Sequence, residues 1–187
     1  PSVGVIATDS ERGLIEIARP IGVVGAITPS TNPVATPTNK VMNALKGGNA
    51  IILAPSPRGE AVCGELVDLF RDALDKIGAP VDLIQQLPRP INTATTQALM
   101  ESVDLIVATG SQNNIRAAYS SGTPAVGVGA GNVAVIIDET ADYQQAAESI
   151  VASKSFDNAT SCSSENSIVV VESAVGPLLK ALSSCGV

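Results

Sequence analysis

From Pro20 onward the chain alternates short apolar runs with longer amphipathic stretches, and this alternation limits the possible folds more than any other feature. The apolar runs are Gly22–Ile27, Ala50–Leu53, Asp82–Leu87, Asp104–Ala108 and Val133–Ile137. Between them lie Pro37–Lys46, Glu60–Ile77, Thr93–Glu101, Gln112–Ser120 and Tyr143–Ser153, all with helical periodicity. In the second of these, Val62, Leu66, Leu69, Phe70, Ala73, Leu74 and Ile77 share one face. The opposite face carries Glu60, Glu65, Asp68, Arg71, Asp72, Asp75 and Lys76, and Gly78 follows as a C-cap. Strand–helix–strand alternation predicts a parallel sheet covered by helices on both faces. Composition agrees: 45% of residues are hydrophobic but only 2% are aromatic, so the core is built from Val, Ile, Leu and Ala. Such residues suit parallel strands buried on both sides.

Ahead of this pattern, Val3–Thr8 and Leu14–Ala18 flank the polar turn Asp9–Gly13, which reads as a hairpin. After it, Ser167–Val171 and a helix-like Val175–Leu182 read as the start of a further α/β unit. The expected organisation is a hairpin arm over residues 1–19, a dinucleotide-binding domain over 20–138, and the beginning of a second α/β domain over 139–187. The chain is expected to be part of a longer one, because a domain ending there would leave strand edges open.

Lys and Arg number 11 against 18 Asp and Glu, a net charge of −7, which argues against nucleic acid or an anionic membrane as partner. No apolar run approaches a membrane span and no signal-peptide pattern opens the chain, so a soluble, cytoplasmic protein is expected. Cys63, Cys162 and Cys185 form neither a disulfide framework nor a zinc cluster, and no metal is expected. The chain has no histidine, which removes Ser-His, Cys-His and His-metal chemistry from this segment.

In a doubly wound sheet, ligands bind at the carboxyl ends of the strands, so the loops leaving the apolar runs are where chemistry is expected. The first contains Thr28, Pro29 and Asn32. The Asn32 amide suits an oxyanion, donating hydrogen bonds without bringing charge; equally, Asn32 can cap the next helix. The second contains Ser56 and Arg58 ahead of a long helix, a setting that favours phosphate or leaves a solvated arginine. The third holds Gly110 and Ser111, where glycine permits close approach and serine can cap a helix or touch phosphate. The fourth, Gly127-Val128-Gly129-Ala-Gly-Asn132, reads as a glycine-dense loop that lets backbone approach a ligand or forms a tight bend between domains. The last surrounds Cys162 with Thr160, Ser161, Ser163 and Ser164. A core cysteine normally has apolar neighbours, as Cys63 and Cys185 do, so Cys162 reads as a reactive thiol. If it opens a helix, the positive dipole end favours its thiolate.

Taken in order, these segments resemble the aldehyde dehydrogenase superfamily. The motifs are Pro20-Ile-Gly-Val-Val-Gly25, Thr28-Pro-Ser-Thr-Asn-Pro33, Ala44-Leu-Lys-Gly-Gly-Asn-Ala50, Ala108-Thr-Gly-Ser111 and the Cys162 loop. Ala117–Gly122, Gly127–Asn132, Asp138–Asp142 and Ser153–Asn158 resemble the CoA-acylating branch, including the aldehyde dehydrogenase half of bifunctional aldehyde–alcohol dehydrogenases. The resemblance implies an α/β fold with a Rossmann-type cofactor domain and a catalytic domain that begins within this chain. It implies Cys162 as nucleophile and Asn32 with the Cys162 backbone N–H as the oxyanion site. Gly110 and Ser111 fall at the cofactor-phosphate turn, Ser56 and Arg58 at the adenosine side, and Thr28, Pro29, Gly127, Val128 and Gly129 among the remaining cofactor contacts. The implied cofactor is NAD or NADP, the latter if Ser56 and Arg58 hold a 2′-phosphate, with coenzyme A as co-substrate.

This chain departs from the hydrolytic members of the family at three places. Ala54 stands where they carry Lys, Ile115 where their phosphate turn has a second Gly, and Gly127 where they carry a Glu general base. A thiol acceptor needs less activation than water, so the missing base favours transfer to CoA. The serines around Cys162 tilt the expected substrate toward a polar small aldehyde such as sulfoacetaldehyde over acetaldehyde. A glutamyl-phosphate-type reductase and a non-catalytic remnant are the competing readings. The resemblance further implies a homo-oligomer, dimer or tetramer, with the hairpin as its arm, and a bacterial microcompartment remains open beside the cytoplasm.

Overall fold

The computed structural model describes residues 2–129 and 131–187, and the chain divides after Gly129 into two compact units. The first opens with a hairpin of β1 (Gly4–Asp9) and β2 (Leu14–Ala18), antiparallel, with a bulge between Val5 and Ala7. Its turn is closed by the Asp9 carboxylate, which accepts from the Glu11 and Arg12 N–H groups at 3.1 and 3.0 Å. Val5, Leu14, Ile15 and Ile17 are all exposed on it, an unusual concentration of apolar surface on two strands.

The remainder of this unit is the expected parallel sheet. Its strands are β3 (Val23–Thr28), β4 (Ala50–Pro55), β5 (Ile84–Gln86), β6 (Leu105–Thr109) and β7 (Ala125–Val128). They lie in the order β5-β4-β3-β6-β7. Helices α1 (Ala35–Lys46), α2 (Glu60–Lys76), α3 (Thr93–Ser102) and α4 (Gln112–Ser120) connect them. The alternation of side chains along each strand divides the core in two. Val24, Ala26, Ile51, Leu53 and Ile84 meet Val41, Ala44, Cys63 and Val67 of α1 and α2. Ile27, Ala54, Ile106 and Ala108 meet Leu99, Met100, Ile115 and Ala118 of α3 and α4. Gly25 brings α3 close, since a Cβ there would lie 2.9 Å from the Val103 side chain.

Two expectations change. Asp82–Leu87 is not one strand: Val81–Leu83 forms a 3-10 turn and only Ile84–Gln86 pairs, beside β4. The glycine-dense segment begins inside β7, which pairs in parallel with β6 through Ala108↔Gly127 and Thr109↔Val128. Gly127 and Val128 are therefore strand residues, and only Gly129 leads out of the strand.

The second unit contains β8 (Val133–Ile137), α5 (Tyr143–Ser155), β9 (Glu165–Val170) and α6 (Glu172–Ser184). β8 pairs in parallel with β9 and not with the five-stranded sheet, which is why the division falls after Gly129 and not at residue 138. Ile137, Ala174 and Leu178 form its small core, with Val135, Ile168 and Val170 packed against them. Ile136 and Val169, on the alternate face of the strand pair, are exposed.

Candidate active site

The sheet has its topological switch point at β3 and β6, which are neighbours in space but lead to strands on opposite sides. This is where doubly wound sheets open a ligand crevice. Thr28 ends β3, and its hydroxyl oxygen is buried with no hydrogen-bond partner. A buried orphan oxygen is costly, so the position fits a ligand group that completes it. Pro29 follows, half-buried, and Gly110 and Ser111 follow β6. Gly110 takes a φ of 152° with open space on its Cβ side, as close approach of a ligand requires. Ser111 caps α4, accepting from the Asn114 N–H at 3.3 Å.

Ser56 and Arg58 lie one strand over, after β4, where the Gly59 N–H closes a turn onto the Ser56 carbonyl at 2.8 Å. The Arg58 side chain is exposed. A Cβ on Gly59 would lie 2.8 Å from Pro33, so the loops after β3 and β4 are packed together. On the other side, the Gly110 N–H bonds the Val128 carbonyl at 3.2 Å, and a Cβ on Gly129 would meet Gln112 of α4 at 2.7 Å. The candidate cofactor residues therefore line one carboxyl edge of one sheet, in the order Ser56 and Arg58, Thr28 and Pro29, Gly110 and Ser111, then Gly127–Gly129.

Asn32 takes the helix-entry role and keeps its amide donor free of that role. Its side-chain oxygen accepts from the Ala35 N–H at 3.0 Å where the chain turns into α1. That bond orients the amide and leaves its NH₂ group, the donor an oxyanion needs, on an exposed residue.

Gly127 has no room for a side chain. A Cβ there would lie 2.9 Å from Ile115 Cγ2 and 3.1 Å from Tyr119 Cε2. The Tyr119 hydroxyl also accepts from the Gly127 N–H at 3.0 Å and donates to the Gly127 carbonyl at 3.4 Å. Two of the departures noted in the sequence, Ile115 and Gly127, are thus one packing arrangement: the isoleucine occupies the space that a carboxylate stem would need.

In the second unit, Cys162 is exposed, as a reactive thiol must be. It does not open a helix. Residues 161–164 form a turn closed by Ser164 N–H to Ser161 carbonyl at 3.2 Å, leading directly into β9. Upstream, Asp157, Asn158 and Ala159 all have positive φ, 48°, 52° and 56°, a strained run that is costliest for alanine. The Ser161 hydroxyl bonds Ser163 Oγ at 2.7 Å, and Ser164 is buried, so two of the flanking serines are engaged locally. Cys63 is the contrast: it is fully buried, and burial pushes its thiol up to about 11.

Lys40 of α1 was not singled out by its sequence pattern, which makes it one more helix charge. It is buried, and its ammonium donates at 2.7 Å to the Ile27 carbonyl and at 2.7 Å to the Val107 carbonyl. Among the described residues, no group of three or more metal-ligating side chains occurs and no helix is long and apolar enough to cross a membrane.

Comparison with known proteins agrees with this geometry. The aldehyde dehydrogenase family profile matches residues 3–184. An acylating sulfoacetaldehyde dehydrogenase of Cupriavidus necator is 57% identical over 185 residues, covering 99% of this chain and 38% of that protein. An acetylating aldehyde dehydrogenase of Geobacillus thermoglucosidasius superposes with a TM-score of 0.90 at 40% identity, over 99% of this chain and 41% of its own. A propionaldehyde dehydrogenase of Rhodopseudomonas palustris, solved with bound CoA and an acylated cysteine, superposes with a TM-score of 0.81 at 37% identity, over 89% of this chain and 38% of its own. The chain thus spans about two-fifths of the length of these relatives. Its sheet, its loop order and these matches together establish that the chain belongs to the aldehyde dehydrogenase family.

Proposed function

We propose that this chain supplies the cofactor-binding sheet and the nucleophile of a CoA-acylating aldehyde dehydrogenase. The observation that carries the reading is the packing at Gly127. With Ile115 and Tyr119 filling the space beside it, the position takes a carboxylate side chain only if these neighbours shift, and this chain has no carboxylate there to activate water. An acyl group on the enzyme then leaves to a better nucleophile than water, and a thiol is one at neutral pH.

In this reading the Cys162 thiolate attacks the aldehyde carbon and forms the C–S bond. The family resemblance assigns the oxygen, while it carries negative charge, to two amide donors, the Cys162 N–H and the NH₂ group of Asn32, whose side-chain oxygen is bonded to the Ala35 N–H. A nicotinamide cofactor, when bound, accepts hydride from that carbon. Thr28, Pro29, Gly110 and Ser111 hold the dinucleotide at the switch point, with the orphan Thr28 hydroxyl as one donor. Ser56 and Arg58 hold the adenosine end, where Arg58 suits a 2′-phosphate and hence NADP over NAD. The Cys162 thioester passes its acyl group to the thiolate of CoA, which frees the Cys162 thiolate again.

The substrate we propose is sulfoacetaldehyde, on the strength of the small polar residues beside Cys162 and the 57% identity to a protein of that activity. The exposed apolar hairpin is the surface for a second copy of the chain, making the enzyme a homo-oligomer. In the protein at its natural length, Cys162→Ala abolishes acyl-CoA formation, and retained turnover refutes the assignment. Side-by-side kcat/KM values decide the substrate: a strong preference for acetaldehyde over sulfoacetaldehyde removes the polar aldehyde.

A further inference from the structure

Lys40 is the only charged residue among the described residues that is buried. The strands near it, β3, β4 and β6, contain no ionisable side chain, and the only other one on α1 is Lys46 in its last turn. Its two short hydrogen bonds go to the main chain of two different strands, Ile27 on β3 and Val107 on β6. Those strands pair in register at Ile27↔Ala108 and are the pair that forms the switch point. Ile27 immediately precedes Thr28, and Val107 lies two residues before Thr109, the last residue of β6. One ammonium therefore fastens together the ends of the two strands whose loops carry Thr28, Pro29, Gly110 and Ser111.

Fold stability does not account for a cation in this position. Burying an ammonium without a counter-ion is costly, and an apolar side chain of the same length would pack there without that cost. We infer that Lys40 is a positioning residue for the cofactor, its charged hydrogen bonds to Ile27 and Val107 setting the width of the switch-point crevice. The inference rests on the cofactor reading above.

Titration separates this role from a structural one. Burial pushes the Lys40 ammonium down from 10.5 to about 8. The folded chain thus gives up this proton before the unfolded chain does. The burial cost is present in full below pH 8 and is relieved as pH rises from about 8 to 10.5, so this group makes stability rise with pH. The crevice behaves oppositely, because the neutral amine loses the charge that strengthens both hydrogen bonds. Cofactor affinity falls over the same range in which the lysine's own contribution to stability rises.

The test is the Kd of the reduced nicotinamide dinucleotide, followed by its fluorescence, from pH 7 to pH 9.5 on the protein at its natural length. The wild type weakens about tenfold across this range, the size of one hydrogen bond to a charged group. Lys40→Met is about tenfold weaker at pH 7 on the same basis and is flat with pH. A wild-type Kd that stays constant, or a Lys40→Met variant that keeps the wild-type slope, overturns the inference while leaving the cofactor reading intact. Should Lys40→Met fail to fold, the wild-type profile decides alone. A folded wild type that binds no dinucleotide at pH 7 overturns the cofactor reading and this inference together.

Discussion

The carboxyl edge of the five-stranded sheet and the turn that carries Cys162 meet the demands of a reactive site by different means. Along the edge, position follows from the sheet: each loop leaves a strand held in register by its neighbours, and further bonds tie the loops to one another. Gly59 packs on Pro33, Gly110 bonds Val128, and Lys40 joins β3 to β6. At Cys162 there is no such lattice. The thiol stands exposed on a turn between a left-handed stretch and β9, held by a hydrogen bond between Ser161 and Ser164. In the proposed function the edge holds a large ligand in one place, whereas the turn leaves a small nucleophile free to attack.

The comparison is broken most directly at Asn32, where a loop residue of the edge is assigned a part in the chemistry. Asn32→Asp keeps an oxygen for the Ala35 N–H and so preserves the entry to α1, but it loses the NH₂ donor. The expected result is a drop in kcat of about 10²–10³ with little change in melting temperature, measured by steady-state kinetics and thermal denaturation. Equal losses in both would reduce Asn32 to a helix cap.

Gly127→Glu probes the edge from its other end. Restoring the carboxylate here does not create a hydrolase, because Ile115 and Tyr119 occupy its space. Overpacking costs about 1–3 kcal/mol, read by urea unfolding, and aldehyde oxidation stays dependent on CoA. Efficient CoA-independent acid formation by this variant would contradict the packing argument.

The two thiols offer a milder contrast. At neutral pH a small alkylating agent labels Cys162 before Cys63, as peptide mass spectrometry would show, since one is exposed and the other buried with its thiol raised to about 11. The ordinary value for the unfolded chain is 9.0, so the unfolded state loses that proton first. Stability from Cys63 is present below pH 9 and is lost as pH rises to about 11. Cys63→Ala removes this part of the alkaline slope in denaturation midpoints. The smallest effect is at Ser111→Ala, which removes the α4 cap and costs about 1 kcal/mol in urea unfolding.

The edge was more legible in the sequence than the turn, for a physical reason. Parallel strands buried on both faces leave uninterrupted apolar runs, and the helices between them show their periodicity, so β3 and β6 emerge within one residue of their bounds and α4 with the bounds it has in the structure. The edge strand β7 escaped because Ala125-Val-Gly-Val128 is short and its glycine suggests a loop. That glycine answers to Ile115 and Tyr119 across the fold, which no local pattern reveals. Lys40 escaped because charge on a helix ordinarily means solvent, and only the three-dimensional path to Ile27 and Val107 shows otherwise. At Cys162 the small polar neighbours agree with its exposure, and of the possible settings for the thiol the structure shows a turn and not a helix start. It follows three consecutive positive φ angles, of which Asp157 and Asn158 suit the left-handed region and Ala159 does not announce it.

The central claim is that Cys162 carries the acyl group and gives it to a thiol. The decisive measurement is intact and peptide mass spectrometry of the natural-length protein, incubated with aldehyde and oxidised nicotinamide cofactor but no CoA. The account predicts one acyl adduct on the peptide containing Cys162, stable in buffer and discharged as acyl-CoA when CoA is added. An adduct on Cys63 or Cys185, or steady release of free acid without CoA, would contradict it.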